Sequence, residues 1–201
     1  MQWTTAEESK MEKTKSGSYW VTWADTNAEN STSINDLEVN FRFKAKAFIK
    51  ALEDAGISVT ISATKRSAVR AYLFHWCWKI SQDRVIASNV PPMVGVDIEW
   101  DHGTTAASKI GAQQMVTGFG LAVPPNSTNP PSLNSNHIAG KAIDITLAWS
   151  GTKKVKKKDG TLVDVPFHSN VNVNTTLHAV GLSYGVKKLK SDKPHWSYNG
   201  R

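Results

Sequence analysis

At Gly56 the hydrophobic period of this chain changes from three-or-four to two, and that switch limits its fold more than any other feature. From Asp36 onward, Phe41, Ala45, Phe48, Ile49 and Leu52 recur at helical spacing, and Gly56 stands where a C-terminal cap belongs. Beyond it, Ile57, Val59, Ile61 and Ala63 alternate with Ser58, Thr60 and Ser62, which predicts a half-buried strand. A one-sided helix running into a one-sided strand must bury both apolar faces in a shared core. Further on, residues 67–81 read as a helix apolar almost all round, hence central. Strands are expected over 94–100 and 142–147, and a helix over 104–117, with a proline- and asparagine-rich loop over 124–136. The last connections look like hairpins, Asp159-Gly160 being a turn signal. The expected fold class is α+β, a single domain with a small antiparallel sheet flanked by helices.

Composition narrows the classes. With 201 residues and 40% hydrophobic content, one sizeable core is affordable and two full domains are not. The expected organisation is an N-terminal extension over 1–35 packed on a domain over 36–201, with a lysine-rich hairpin inserted near 149–174. The lone cysteine, Cys77, lies in an apolar run and reads as a buried, inert thiol, so disulfides and cysteine-rich metal clusters are excluded. The first eight residues are polar and acidic, and no stretch approaches the roughly 18 apolar residues of a membrane span. Synthesis in the cytoplasm without an export signal, and no transmembrane segment, are the expectations. The net charge of +7 favours polyanions, and Lys153, Lys154, Lys156, Lys157 and Lys158 carry much of it. These lysines read either as a solvated hairpin tip or as a contact for an anionic wall or lipopolysaccharide surface. No nucleic acid is expected, because such a partner leaves the following residues unexplained.

If 142–147 is a strand, Ile143, Ile145 and Leu147 face the core and Asp144 projects the other way. His137 precedes it, and Gly140 lets the backbone turn between them. A histidine and a carboxylate converging from a rigid element supply two of the three protein ligands of a catalytic zinc. His195, in extended backbone after Pro194, offers the third. Asp192, on the turn entering that segment, could take a proton from an attacking water.

The ordered set Ser135-x-His137-x-x-Gly140-x-Ala142-x-Asp144 resembles the motif of the D-Ala-D-Ala carboxypeptidase family of zinc peptidases. That family includes phage endolysins and vancomycin-resistance dipeptidases, and is grouped with lysostaphin-type enzymes and the Hedgehog amino-terminal domain. Gly181-Leu182-Ser183-Tyr184-Gly185, then Asp192-x-Pro194-His195-Trp196, is similar to its closing motif. Thr60 to Ser67 looks like its strand ending in an Arg-Ser pair. The resemblance spans residues 36–201 and implies a Hedgehog/DD-peptidase type of fold. It implies one Zn2+ per chain on His137, Asp144 and His195, Asp192 as catalytic base, and Arg66 as a catalytic and substrate-binding residue. Ser135 and Trp196 are expected to contact substrate. Many relatives carry a second histidine two residues from the last ligand, or a glutamate base; here Trp196 and Ser197 stand beside it, and Asp192 is the only close acid.

The implied activity is hydrolysis of stem or cross-bridge peptides of bacterial peptidoglycan, endopeptidase favoured over carboxypeptidase. The alternative is a zinc-containing binding module of the same fold without catalysis. Action would take place in the periplasm or wall after release or injection, as an endolysin, a virion lysin or an antibacterial toxin. A toxin would add an immunity protein as partner.

Overall fold

A computed structural model describes residues 13–201, and the chain is α+β. In order, its elements are strand β1 (Thr14–Lys15), helices α1 (Ser18–Asn27) and α2 (Val39–Asp54), strand β2 (Ser58–Ala63), helix α3 (Ala68–Ser81), strand β3 (Ile98–Glu99) and helix α4 (Thr105–Gly118). Strands β4 (Ala142–Ala148), β5 (Thr152–Lys156) and β6 (Leu162–Pro166) follow, then helix α5 (Thr175–Ser183) and strands β7 (Lys187–Lys188) and β8 (His195–Ser197). Contacts group these into two units. One comprises the described residues up to Asn27 with Tyr72–Pro131, the other Ala28–Ala71 with Ser132–Arg201. The stretch from which the lack of an export signal is read, and the first part of the expected N-terminal extension, lie outside the described residues. No helix among those described is long and apolar enough to cross a membrane.

In the first unit β1 pairs in parallel with β3, Thr14 opposite Ile98. Helix α1 is an element the sequence pattern did not announce. It lies on α4, where Val21 fills the space over Gly118; a Cβ there would come within 2.6 Å of Val21 Cγ2. The strand expected over 94–100 shortens to two residues. Gly95 turns the chain at φ +81°, and the Val96 N–H closes on the Met93 carbonyl at 3.1 Å. Tyr72, Leu73, Cys77 and Trp78 of α3 are buried, and burial pushes the Cys77 thiol above its usual range.

The second unit holds a four-stranded antiparallel sheet in the order β2-β4-β8-β7. Helix α2 starts at Glu38, whose carboxylate accepts the N–H groups of Asn40 and Phe41 and so caps two otherwise orphaned donors. Its apolar face, Phe41, Ala45, Phe48, Ile49 and Leu52, packs into one core with Ile143 and Ile145 of β4 and Leu177 and Val180 of α5. Each buried phenylalanine contributes roughly 1.5–3 kcal/mol. The β5–β6 hairpin joins the same core through Val155 and Val165, both fully buried; Lys154 and Lys156 point outward, while Lys153, on the face of Val155, is half-buried. Lys154 pairs with Asp164 at 2.9 Å on an exposed surface, where such a pair stabilises little.

Candidate metal centre

Strand register builds the site. Between β4 and β8, Asp144 stands directly opposite His195, Ile143 opposite Trp196 and Ala142 opposite Ser197. Because successive side chains alternate between faces, Ile143, Ile145 and Trp196 enter the core while Asp144 and His195 share the other face. A slip of one residue would exchange the two sets.

His137 reaches the same face from a tight turn. The Ala139 N–H donates to the Ser135 carbonyl, Gly140 N–H to His137 and Lys141 N–H to Asn136. Gly140 sits at φ +67°, and a Cβ there would approach the Glu38 nitrogen to 2.8 Å, so only glycine fits. The Glu38 N–H donates back to the Gly140 carbonyl at 2.9 Å and ties this turn to the start of α2.

Three atoms then converge. His137 Nε2 lies 3.2 Å from Asp144 Oδ1, His195 Nδ1 lies 3.1 Å from the same oxygen, and the two nitrogens are 3.1 Å apart. The outer ring nitrogens meet backbone carbonyls: His137 Nδ1 the Thr64 oxygen at 2.7 Å, and His195 Nε2 the Arg201 oxygen at 3.0 Å. A carbonyl only accepts, so each outer nitrogen carries its ring's hydrogen and each inner nitrogen presents a lone pair. Two lone pairs and a carboxylate oxygen face one point with no hydrogen to share, and a cation there satisfies all three. His137, Asp144 and His195 thus form a group that could hold a metal ion. Both histidines are buried and Asp144 is half-buried, which restricts their movement. Burial pushes the Asp144 carboxyl up, but the two imidazoles beside it more than offset this and hold it below the usual carboxylate range.

A cleft of about 560 Å³ borders His195, lined by Ser135, Asn136, Ile138, Ala139 and Asn199. Ile138 also lines a second cleft, of about 630 Å³, with Arg66, Lys65, Ser67, Glu29 and Asp36. Arg66 donates its main-chain N–H to the His137 carbonyl at 3.1 Å. Its guanidinium makes no ion pair or hydrogen bond among the described residues, so nothing there supports a purely structural salt bridge. Ser135 caps the turn, its hydroxyl accepting the Ile138 N–H at 3.3 Å, and lines the cleft beside His195. Asp192 is exposed on the turn before β8; its main-chain carbonyl accepts the His195 N–H at 3.2 Å.

Trp196 requires a correction. Its ring is wholly buried, packed on Phe48 with centroids 5.0 Å apart, and cannot touch a substrate. The reason is the alternation itself: in one strand, His195 facing the site forces Trp196 into the core.

Sequence reasoning missed the supports. The Thr64 carbonyl is held in place by the bonds that the Thr64 N–H and hydroxyl donate to Ser31, at 2.8 and 2.9 Å. The Arg201 carbonyl also accepts from Asn136 Nδ2 at 2.6 Å and from the Ser197 hydroxyl at 3.0 Å. Ser197, two residues after His195 on the same strand face, was the one signal available. Lys188 is buried beside the turn that carries Asp192. Its desolvation lowers its pKa to about 8, partly offset by Asp192 and Asp144. Set against known proteins, the chain matches no protein-family model and no curated protein.

Proposed function

We propose that the chain is a zinc peptidase acting on peptide bonds of bacterial peptidoglycan. The observation that carries this reading is the convergence of two imidazole lone pairs and one carboxylate oxygen beside an open cleft. Zinc bonds of about 2.0–2.1 Å in a tetrahedral arrangement put ligand atoms about 3.3 Å apart, close to the separations in this group. Two histidines and an aspartate also leave a fourth position for water or substrate. A zinc ion so bound supplies a Lewis acid that polarises a carbonyl and acidifies a water.

The protein's own groups supply the rest. Asp144, ionised at neutral pH, offsets the ion's charge, and the Thr64 and Arg201 carbonyls keep both imidazoles in the ligating tautomer. Asp192 is the proton carrier in this reading, taking a proton from the attacking water and returning it to the leaving amine. Arg66, whose guanidinium meets no partner among the described residues, lines the adjoining cleft and fits a substrate carboxylate or carbonyl oxygen. The motif resemblance points to peptidoglycan peptides as substrate, and cleavage within the peptide is the form of the activity favoured here.

An anionic wall partner also has support. The unit bearing the ligands holds 18 of the 24 lysines and arginines and 9 of the 17 acidic residues, a net charge of +9, which leaves −2 for the remainder. The test is digestion of purified muropeptides followed by mass spectrometry. New amino and carboxyl termini that depend on added zinc and vanish in His137→Ala support the reading; intact muropeptides with zinc-loaded protein would refute it.

A further inference from the structure

Lys188 lies on β7, yet its side chain turns inward beneath the loop from Leu189 to His195. There its ammonium donates to three main-chain carbonyls: Leu189 at 2.6 Å, Asp192, and His195 at 3.1 Å. Three acceptors match the three N–H donors of an ammonium group, and a neutral amine would leave one of them unsatisfied. The same carbonyls each accept one backbone N–H as well. Asp192 donates to Leu189, His195 to Asp192 and Leu189 to His195, all at 3.2 Å. The loop is therefore wound around a single cation, with three carbonyl dipoles pointed at one another and only the ammonium between them. It carries two of the residues on which the proposed reaction depends.

We propose that Lys188 is a positioning residue of the metal centre. It fixes the separation of Asp192 from His195 and the angle at which His195 Nδ1 meets His137 and Asp144. The proposal rests on the peptidase reading for the role of Asp192, but its claim on His195 requires only that the site bind metal. Without the ammonium the three carbonyls must move apart to find water, and the loop must rewind. Such a change reaches the metal through His195 and the proton carrier through Asp192, with no contact between Lys188 and substrate.

The experiment uses the full chain with Lys188→Met, which keeps length and removes the cation. A companion Lys188→Cys variant, made together with Cys77→Ala so that position 188 carries the one thiol, is alkylated with bromoethylamine to restore an ammonium at lysine length. Cobalt(II) serves as the probe, its visible absorption reporting ligand geometry and its titration giving affinity. The expected result for Lys188→Met is a cobalt affinity lower by about 10–100-fold, the range for losing an outer support of a metal ligand, with an altered spectrum. On muropeptide kcat should fall at least tenfold while KM stays within about threefold, and aminoethylation should restore spectrum, affinity and kcat. Cobalt affinity and spectrum unchanged in a folded Lys188→Met protein would overturn the proposal. If that variant fails to fold, the aminoethylated protein decides: regained fold without regained cobalt affinity overturns it equally. Wild type that binds cobalt but cleaves nothing defeats the peptidase reading alone, and the cobalt arm still judges Lys188.

Discussion

Removing the metal should lower the melting temperature of the ligand-bearing unit by about 12–25 °C. The ligands come from a turn at His137, the central strand at Asp144 and the strand at His195, so the unfolded chain presents no comparable site. A ligand that binds only the native state stabilises by RT ln(1 + [L]/Kd), about 4.1 kcal/mol at a free concentration 1,000 times Kd. The unit has 114 residues, between the sizes for which each kcal/mol moves the midpoint by roughly 4–8 °C and roughly 2–4 °C, and about 3–6 °C per kcal/mol gives the stated range. The stripped site adds to the effect, because three mutually repelling acceptors must then capture a proton or swing apart. The assay is calorimetry on protein treated with chelator, then reloaded with zinc, beside Asp144→Ala handled identically. With two units in the chain, two transitions can occur, and only that of residues 28–71 and 132–201 should move. Coincident melting curves with and without zinc, together with no zinc retained on metal analysis, would refute the reasoning.

Asp192→Asn should retain zinc yet lose about 10²–10⁴-fold in kcat on muropeptide, since it removes a proton carrier and no ligand; near wild-type turnover excludes Asp192 as the base. Trp196→Ala should cost about 3–5 kcal/mol in denaturant unfolding, the range for emptying an aromatic core position. Trp196→Phe should cost far less, because the indole N–H has no partner to lose among the described residues; a KM effect without a stability effect would return Trp196 to the substrate. Replacing Lys153, Lys154, Lys156, Lys157 and Lys158 by glutamine should slow lysis of intact wall at low salt only, with cleavage of a soluble muropeptide unchanged. At about 0.15 M salt, screening over about 8 Å should shrink the difference. Equal rates on both substrates at every ionic strength make the lysines a solvated tip.

What could be read from the sequence was what period and turn chemistry control. The face of α2, the alternation of β2 and β4 and the turn at Gly140 follow from spacing and backbone preference, while the grouping of His137, Asp144 and His195 was legible through the motif resemblance. Alternation also placed Trp196 in the core once His195 was assigned to the site, and applying it one residue further would have removed the substrate role. Helix α1 was hidden because its apolar residues, Tyr19, Trp20, Val21 and Trp23, run nearly consecutively with no helical period, and only Trp20 and Ala24 are buried. The supports were hidden for another reason: Thr64, Leu189, Asp192 and Arg201 act through main-chain carbonyls, which every residue possesses, so no side-chain identity marks them. The grouping of residues 72–131 with the N-terminal segment rests on long-range contacts, about which periodicity is silent.

The ligand-bearing unit is interrupted: the chain leaves it at Ala71 and rejoins it at Ser132, with the sixty residues 72–131 between. Closing a flexible loop costs entropy only as the logarithm of its length, so sixty residues cost about 1.6 kcal/mol more than ten. All three ligands lie after the interruption and β2 before it, so a change of length there leaves the spacing of His137, Asp144 and His195 untouched. Segments of quite different size could be carried between Ala71 and Ser132 while β2 still pairs with β4 and the ligands keep their register.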